Sequence, residues 1–182
     1  MKEIEVRIID INIENIRKTL LSFNAELVKK ENQVNNIYDF TDRRLLNNKG
    51  YARIREIEDL LNNKNQFYMT VKKILSQEKY KVMDECETEI KDSEEGKKIF
   101  HALGLTLVES IKKYRESYKY KDCLIEIDIN DTNFCPFPYI EIESSDEALL
   151  EEVVGLLGYT MEDTTSKTIY ELLENKGVVK GL

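Results

Sequence analysis

The feature that most constrains the fold of this chain is a repeated alternation of charged and apolar residues with a period of two. Residues 125–129 read Ile-Glu-Ile-Asp-Ile, and residues 140–143 read Ile-Glu-Ile-Glu. Successive side chains of a β-strand point to opposite sides, so each segment predicts a strand with one apolar and one ionic face. Similar alternation recurs in residues 3–8, 53–55, 70–72, 85–89 and 113–115.

The ionic faces could lie outside or inside the folded protein. For any single strand, the outer face of an open antiparallel sheet explains the pattern well. A solvated face usually mixes Thr, Ser, Gln and Lys, however, whereas these faces are almost purely ionic and place like charges two residues apart. Such charges repel unless groups of opposite sign lie between them. We therefore predict an α+β fold, in which about eight antiparallel strands close into a β-barrel with a charged lumen and a few helices packed outside.

Helices are predicted where the apolar spacing changes from two residues to three or four. Asn12 can cap a helix over 13–23, Ser93 begins one that ends before Gly104, and Asp146 can cap one that ends before Gly158. A short last helix is predicted over 167–174, and two separate strands over 25–34 and 36–40. We predict a single domain over 1–175, followed by a flexible tail over 176–182.

Composition excludes several classes of partner. The net charge of −8 argues against binding to nucleic acid or to a membrane surface. No apolar run reaches the ~20 residues of a membrane span, and the N-terminus does not read as a signal peptide. The three cysteines lack paired spacing, so we expect a reduced, cytoplasmic protein. With one histidine, His101, and no Gly-rich phosphate loop, neither a structural zinc site nor a phosphate-binding loop is predicted.

Ionised side chains in a lumen need partners of opposite charge, and their chemistry indicates which. Arginine and lysine bind phosphate oxygens, whereas carboxylates at strand spacing bind Mg²⁺ or Mn²⁺. A polyanion that enters together with a divalent metal would satisfy both sets of side chains. The alternation alone therefore favours a barrel that holds a phosphate-containing ligand.

A series of short motifs follows this pattern along the chain. They are Glu3-Ile4-Glu5-Val6-Arg7, Tyr38-Asp39, Arg53-Ile54-Arg55, Thr70-Val71-Lys72, Glu87-Thr88-Glu89, Lys113-Tyr114-Arg115, Glu126-Ile127-Asp128, Glu141-Ile142-Glu143, and Ser166-Lys167 with Tyr170. In this order they resemble the CYTH superfamily, or triphosphate tunnel metalloenzymes, which includes class IV adenylyl cyclases, thiamine triphosphatases and inorganic triphosphatases. The resemblance covers residues 3 to about 173. It departs at Arg7, where the family pattern has lysine, a change that keeps the charge but alters its geometry.

The resemblance implies a site and a class of substrate. It implies that phosphates are held by cations from the motifs, namely Arg7, Arg53, Arg55, Lys72, Lys113, Arg115 and Lys167. Lys72 and Arg115 are the expected catalytic residues among them. It implies that Mg²⁺ or Mn²⁺ is bound by carboxylates that include Glu3, Glu5, Asp128, Glu141 and Glu143. The expected partner is a small molecule with a triphosphate, such as tripolyphosphate, ATP or thiamine triphosphate.

Two classes of function remain open, an enzyme and a non-catalytic sensor of polyphosphate or nucleotide. Phosphoryl transfer depends mainly on positioning and charge neutralisation, which the cations and metal ions together would supply. A sensor should have lost the metal ligands, whereas both sets of charges are present here, so an enzyme is favoured. Residues 130–139, with two prolines, differ from the Gly-rich stretch of the cyclases, which favours a hydrolase over an adenylyl cyclase. The oligomeric state, including a homodimer, stays open.

Overall fold

The computed structural model describes residues 4–177, so Glu3 and most of the predicted tail lie outside the described residues. Eight antiparallel strands in this part of the chain close into a barrel, which confirms the predicted fold class. The strands are β1 (Ile4–Ile9), β2 (Glu26–Asp39), β3 (Gly50–Asp59), β4 (Lys64–Gln77), β5 (Lys81–Ile90), β6 (Thr106–Tyr120), β7 (Cys123–Asn130) and β8 (Tyr139–Ser144). Their order around the barrel is β1-β5-β4-β3-β2-β6-β7-β8, and β8 pairs back with β1.

Helices cover part of the apolar outer face of the barrel and one of its ends. They are α1 (Ile13–Ser22), α2 (Arg44–Asn47), α3 (Ser93–Ala102), α4 (Glu147–Leu156) and α5 (Ile169–Asn175). Asn12 caps α1 and Asp146 caps α4, as predicted, while Asp92 caps α3. Leu20 of α1 and Leu150 of α4 are completely buried in one core with the outward residues of β1, β7 and β8. These helices are too short to cross a bilayer.

In the ladder between β1 and β8, the charged side chains point into the lumen and the isoleucines Ile140 and Ile142 point outward. Arg7 lies opposite Glu141 and Glu5 opposite Glu143 between β1 and β8. Ile125, Ile140 and Ile142 on the other face are fully buried under the helices. The alternation in the sequence is therefore the alternation between lumen and outer core.

The region predicted as two strands over 25–40 is one strand, β2. Asn35 pairs with Arg55 on one side and with Ile111 on the other, so the ladder runs through the expected break without interruption. Residues 31–36, Glu-Asn-Gln-Val-Asn-Asn, have weak strand propensity. Hydrogen bonds from two neighbouring strands compensate for this weakness.

One end of the barrel is covered by the C-terminal segment and by the loop that precedes β8. Thr165 and Arg7 exchange backbone hydrogen bonds of 2.8 and 2.9 Å, which attach the segment to β1. Leu172 and Leu173 of α5 then pack with Phe134 and Phe137 of the loop. The last helix begins at Ile169, slightly later than predicted, so Lys167 precedes it.

Candidate active site in the barrel tunnel

A cavity of about 330 Å³ lies inside the barrel. The structure brings together around it most of the predicted phosphate-binding residues and two of the predicted metal ligands, namely Arg7, Arg53, Arg55, Lys72, Lys113, Arg115, Glu5 and Glu141. Glu143 lines an adjoining cavity of about 250 Å³, together with Glu5 and Glu85. Lys167 lines neither cavity, and its side chain is exposed.

Between β1 and β8, a single arginine connects two carboxylates. Arg7 Nε donates to Glu141 Oε1 at 2.7 Å, and Arg7 Nη2 lies 2.6 Å from Glu5 Oε1. Lys81 Nζ also donates to Glu5 at 2.6 Å. Burial lowers the pKa of Arg7, but the charges of Glu141 and Glu5 outweigh burial and raise it overall. A cation therefore lies between the two carboxylates.

Arg115 on β6 contacts carboxylates on the two following strands. Its Nε and Nη2 donate to the two oxygens of Asp128, both at 2.6 Å, and Nη2 also donates to Glu141 at 2.9 Å. Lys113 donates to Asp128 at 2.8 Å. Burial raises the pKa of Asp128, but Arg115 and Lys113 outweigh it, so the carboxyl pKa is lowered. Burial and the charge of Arg115 lower the pKa of Lys113.

The opposite wall of the tunnel contains two arginines that share one carboxylate. Glu87 accepts from Arg55 Nη2 at 2.8 and 3.0 Å, from Arg53 Nη2 at 3.4 Å and from Thr70 Oγ1 at 2.6 Å. The Nε atoms of Arg53 and Arg55 are buried and have no hydrogen-bond partner. Lys72 Nζ lies 2.5 Å from Glu85. This wall therefore contains N–H donors that have no acceptor in the described residues.

The predicted metal ligands have suitable chemistry, although the structure pairs Glu5, Asp128 and Glu141 with cations. Glu5, Glu141 and Glu143 face one another across β1 and β8 and offer only oxygen atoms, as Mg²⁺ and Mn²⁺ prefer. Within residues 4–177, no three acidic, histidine or cysteine side chains are grouped closely enough to hold an ion as they stand. A divalent ion would therefore compete with Arg7 and Lys81 for the oxygens of these carboxylates.

Some residues at the cavity were not predicted from the sequence. Tyr51, Lys81, Asn35 and Asn130 all line it. Burial raises the pKa of the Tyr51 phenol, but the charges of Arg53, Lys72 and Lys81 outweigh burial and lower it. Strand parity could have found Tyr51 and Asn130, because each lies two residues from a predicted site residue, Arg53 or Asp128, on the same strand. No site residue was predicted on β2 or β5, so Asn35 and Lys81 had no such signal.

The Tyr38-Asp39 motif has a structural role. Tyr38 points outward and packs against Phe100 of α3, with ring centroids 5.3 Å apart, so it is not part of the lumen. Asp39 is fully buried and accepts hydrogen bonds from the backbone N–H groups of Leu45 and Leu46 at 3.0 and 2.9 Å. The motif therefore fixes α2 against the rim of the tunnel.

A closed eight-stranded barrel, with a tunnel of arginine, lysine and carboxylate side chains, is the architecture of the triphosphate tunnel metalloenzymes. The chain belongs to the CYTH domain family, whose model matches residues 1–169. A Methanocaldococcus jannaschii protein provisionally named adenylate cyclase MJ0240 is 31% identical over 163 residues, which cover 85% of this chain and 86% of that protein.

Solved structures share the whole fold. Protein PH1012 of Pyrococcus horikoshii is 25% identical with a TM-score of 0.76, over 93% of this chain and 98% of that one. A Hippeastrum protein, HpAC1, provisionally named an adenylyl cyclase and described as having a dominant triphosphatase activity, is 16% identical with a TM-score of 0.69. That match covers 100% of this chain and 97% of that one. At this identity it shows the fold alone.

Proposed function

We propose that the protein cleaves a triphosphate bound in the barrel tunnel with the help of Mg²⁺ or Mn²⁺, and that it is a hydrolase. The observation that carries the proposal is the wall formed by Arg53 and Arg55. Both guanidinium groups line the cavity, both keep a buried Nε without a partner, and both share the carboxylate of Glu87. Unpaired donors of this kind suit phosphate oxygens, which can accept them in forked pairs.

The balance of charge in the lumen explains why metal should accompany the phosphate. Cations of the lumen pair with carboxylates, as Arg115 does with Asp128 and Glu141. A bare polyanion would have to displace carboxylates that would then stay buried without a partner, which is costly. A triphosphate with divalent ions offers charge of both signs, so each displaced side chain gains a new partner.

In the hydrolase, a water oxygen attacks the terminal phosphorus and the bridging bond between that phosphorus and the β-phosphate oxygen breaks. Orthophosphate and a diphosphate leave, and the proton of the water passes to solvent. Lys72 and Arg115 stabilise the charge that develops on the phosphoryl oxygens, and Arg53, Arg55 and Lys113 orient the chain of phosphates. Glu5, Asp128, Glu141 and Glu143 would hold the divalent ion, which supplies further charge neutralisation when it is bound.

Adenylyl cyclase is the second candidate, because the provisional name of the Methanocaldococcus jannaschii relative is adenylate cyclase. In that reaction the ribose 3′-oxygen attacks the α-phosphorus and pyrophosphate leaves. The same arginines would then hold the leaving pyrophosphate. The hydrolase is preferred because it requires only that a water molecule be positioned in the tunnel.

Product analysis tests the proposal directly. The purified protein is incubated with Mg²⁺ or Mn²⁺ and with tripolyphosphate, ATP or thiamine triphosphate, and orthophosphate, pyrophosphate and cyclic AMP are quantified. Orthophosphate release that requires metal supports the hydrolase, whereas stoichiometric pyrophosphate and cyclic AMP would identify a cyclase. Binding without turnover would identify a sensor, and the absence of both binding and turnover would refute the proposal.

A further inference from the structure

The junction of β5 and β1 is the shortest ladder in the barrel. The two strands form only two residue pairs, Ile4 with Val82 and Glu5 with Lys81. β5 continues well beyond this junction and keeps its pairing with β4 as far as Ile90. In the part of the chain that the structure describes, no strand pairs with the other edge of β5 beyond Val82. One side of β5 is therefore open over most of its length.

We define the open edge as Cys86–Ile90, which begins four residues beyond the last pair with β1 and leaves space for residues 1–3 to extend that ladder. The first four residues of the open edge are all exposed. Along a strand, alternate N–H and C=O groups point away from the paired neighbour. Such groups are a template for one more strand, and several peptide-binding domains hold extended ligands in this way.

The side chains of the open edge restrict which strand can be added. Glu87 and Glu89 point to the lumen side, whereas Cys86 and Thr88 point outward. An added strand continues the alternation of the sheet, so its side chains on the lumen side would lie beside the two glutamates. Opposite charges on neighbouring strands stabilise the pairing, and like charges destabilise it. The added strand should therefore carry lysine or arginine at alternate positions.

Glu89 is the glutamate of β5 whose charge is left over. Glu85 lies 2.5 Å from Lys72, and Glu87 lies 2.8 Å from Arg55. The Glu89 side chain is exposed and forms no ion pair with any described residue. A cation on an added strand could therefore pair with Glu89 without breaking an existing pair.

A second copy of this chain is a poor occupant of the open edge. In an antiparallel pair of two such edges, the lumen-side glutamates of one copy lie opposite those of the other, where like charges repel. Inward-pointing charges on an edge are one way in which proteins prevent self-association. The same charges attract a basic segment, and the net charge of −8 steers cationic partners toward the protein.

We propose that the open edge of β5 binds an extended basic peptide of another protein by β-strand addition, with alternate lysine or arginine side chains beside Glu87 and Glu89. Threonine or valine suits the positions between them, beside Cys86 and Thr88, because β-branched side chains favour strands. This binding does not require the proposed catalytic activity.

Fluorescence anisotropy tests the proposal with a labelled heptapeptide, Thr-Lys-Val-Lys-Val-Lys-Thr. We expect saturable binding to the wild-type protein, and no binding of the counterpart in which glutamate replaces lysine. Two further peptides carry N-methyl groups, either on the lysine nitrogens or on the valine nitrogens. Only one of these two should lose binding, because only alternate N–H groups of an added strand face β5. Any other result with this pair of peptides would contradict strand addition.

Variants of the protein locate the binding. Glu89→Gln should weaken binding of the basic peptide by about two- to fivefold, the range of one cross-strand ion pair. Glu58→Gln, the same change at an exposed residue of β3, should leave it unchanged. Amides over 86–90 should exchange more slowly when the basic peptide is added. This exchange is measured on the wild-type protein, so it decides the matter if Glu89→Gln does not fold.

Three results would overturn the proposal. The first is the absence of saturable binding of the basic peptide, and the second is binding that Glu58→Gln weakens as much as Glu89→Gln. The third is unchanged exchange over 86–90 in the saturated complex. Dimers in light scattering, whose formation slows exchange over 86–90, would show that a second copy occupies the open edge instead.

Discussion

Arginine pairs with carboxylate on both sides of the barrel wall, and the two sides are built differently. Outside, Arg17 of α1 donates through Nε and Nη2 to the two oxygens of Glu116 at 2.9 and 2.8 Å. The hydroxyls of Tyr114 and Tyr118 donate to the same carboxylate at 2.5 and 3.1 Å. Inside, Glu87 forms ion pairs with both Arg53 and Arg55, and the Nε atom of each arginine has no hydrogen-bond partner.

The difference indicates which ion pairs hold the fold and which can exchange partners. Glu116 has four donors in fixed places, so the contact attaches α1 to β6 and offers nothing to a ligand. In the lumen, carboxylates are shared and donors are left over, so a phosphate oxygen can enter without breaking a complete network. Under the proposed function, similar residue types therefore serve stability in one place and binding in the other.

The largest difference between the ion pairs in the lumen and the Arg17–Glu116 pair outside should appear in catalytic activity. Glu141→Gln removes a carboxylate that Arg7 and Arg115 share, so we expect kcat/KM for triphosphate cleavage to fall at least about 100-fold, or about 3 kcal/mol. Glu116→Gln, the matched change outside, should stay within a few fold of wild type. Phosphate release measures both, and equal losses in the two variants would contradict the division into binding and structural pairs.

Glu141→Gln also tests whether the like charges of the ionic strand faces repel one another in the folded protein. If Glu5, Glu141 and Glu143 repelled one another, Glu141→Gln would leave the metal-free protein at least as stable as wild type. The structure places Arg7 between Glu5 and Glu141, so we expect a lower midpoint of thermal unfolding instead. A raised midpoint in metal-free buffer would favour repulsion.

The next largest effect should appear in the affinity for the triphosphate. Arg55→Lys keeps the charge but removes the forked group and the unpaired Nε, so triphosphate binding should weaken by roughly 1–3 kcal/mol. Arg17→Lys, outside the barrel, should leave the dissociation constant unchanged. Titration calorimetry in Mg²⁺ measures both, and unchanged affinity in Arg55→Lys would remove this arginine from the site.

A smaller effect on stability should come from the outer pair. Arg17→Met should lower the free energy of unfolding by about 1–2 kcal/mol, a value reduced for the partial exposure of Arg17. Burial raises the pKa of Glu116, but hydrogen bonds from Arg17 and the tyrosines outweigh it and lower the pKa below 4.5.

The pH dependence follows from that direction. A carboxyl group with a lowered pKa stabilises the fold above its ordinary pKa of about 4.5, and this stabilisation is lost as the pH falls further. The difference between wild type and Arg17→Met should therefore shrink between pH 6 and pH 3. Denaturant titrations at several pH values measure it, and a constant difference would show that Glu116 does not act through its charge.

The smallest expected effect belongs to Lys167. Its carbonyl accepts from Arg7 Nη1 at 2.7 Å, while its exposed side chain lies outside the cavity lining, so Lys167→Ala should weaken binding only about two- to threefold. Amides over 166–173 should exchange more slowly when tripolyphosphate and metal are added, since Thr168 and Tyr170 line the cavity. Exchange that is equally slow with and without ligand would show a segment that does not respond to the site.

The lumen could be predicted from the sequence because strand parity is a local property. Once Ile140 and Ile142 are assigned to the core, Glu141 and Glu143 must point the other way, and the structure agrees. Parity also predicts that Cys86 lies on the outward, apolar side as a small core residue, but Cys86 is exposed, so its predicted burial is wrong.

Other parts of the site depend on contacts between distant segments and could not be predicted. Nothing near Lys81 in the sequence indicates that β5 lies beside β1, where Lys81 meets Glu5. Asn35 lies in a polar stretch that resembles a turn until two neighbouring strands are known. The unpaired Nε donors of Arg53 and Arg55 depend on the placement of side chains from several strands.

The position of β1 has a consequence for how the protein is made. This strand forms six residue pairs with β8 and only two with β5, although it is the first strand to leave the ribosome. Its main partner, β8 (Tyr139–Ser144), emerges only after β2 to β7 have been synthesised. Closure of the barrel is therefore a late step in biosynthesis, and until then the N-terminal strand exposes an unpaired edge that other chains or chaperones can bind.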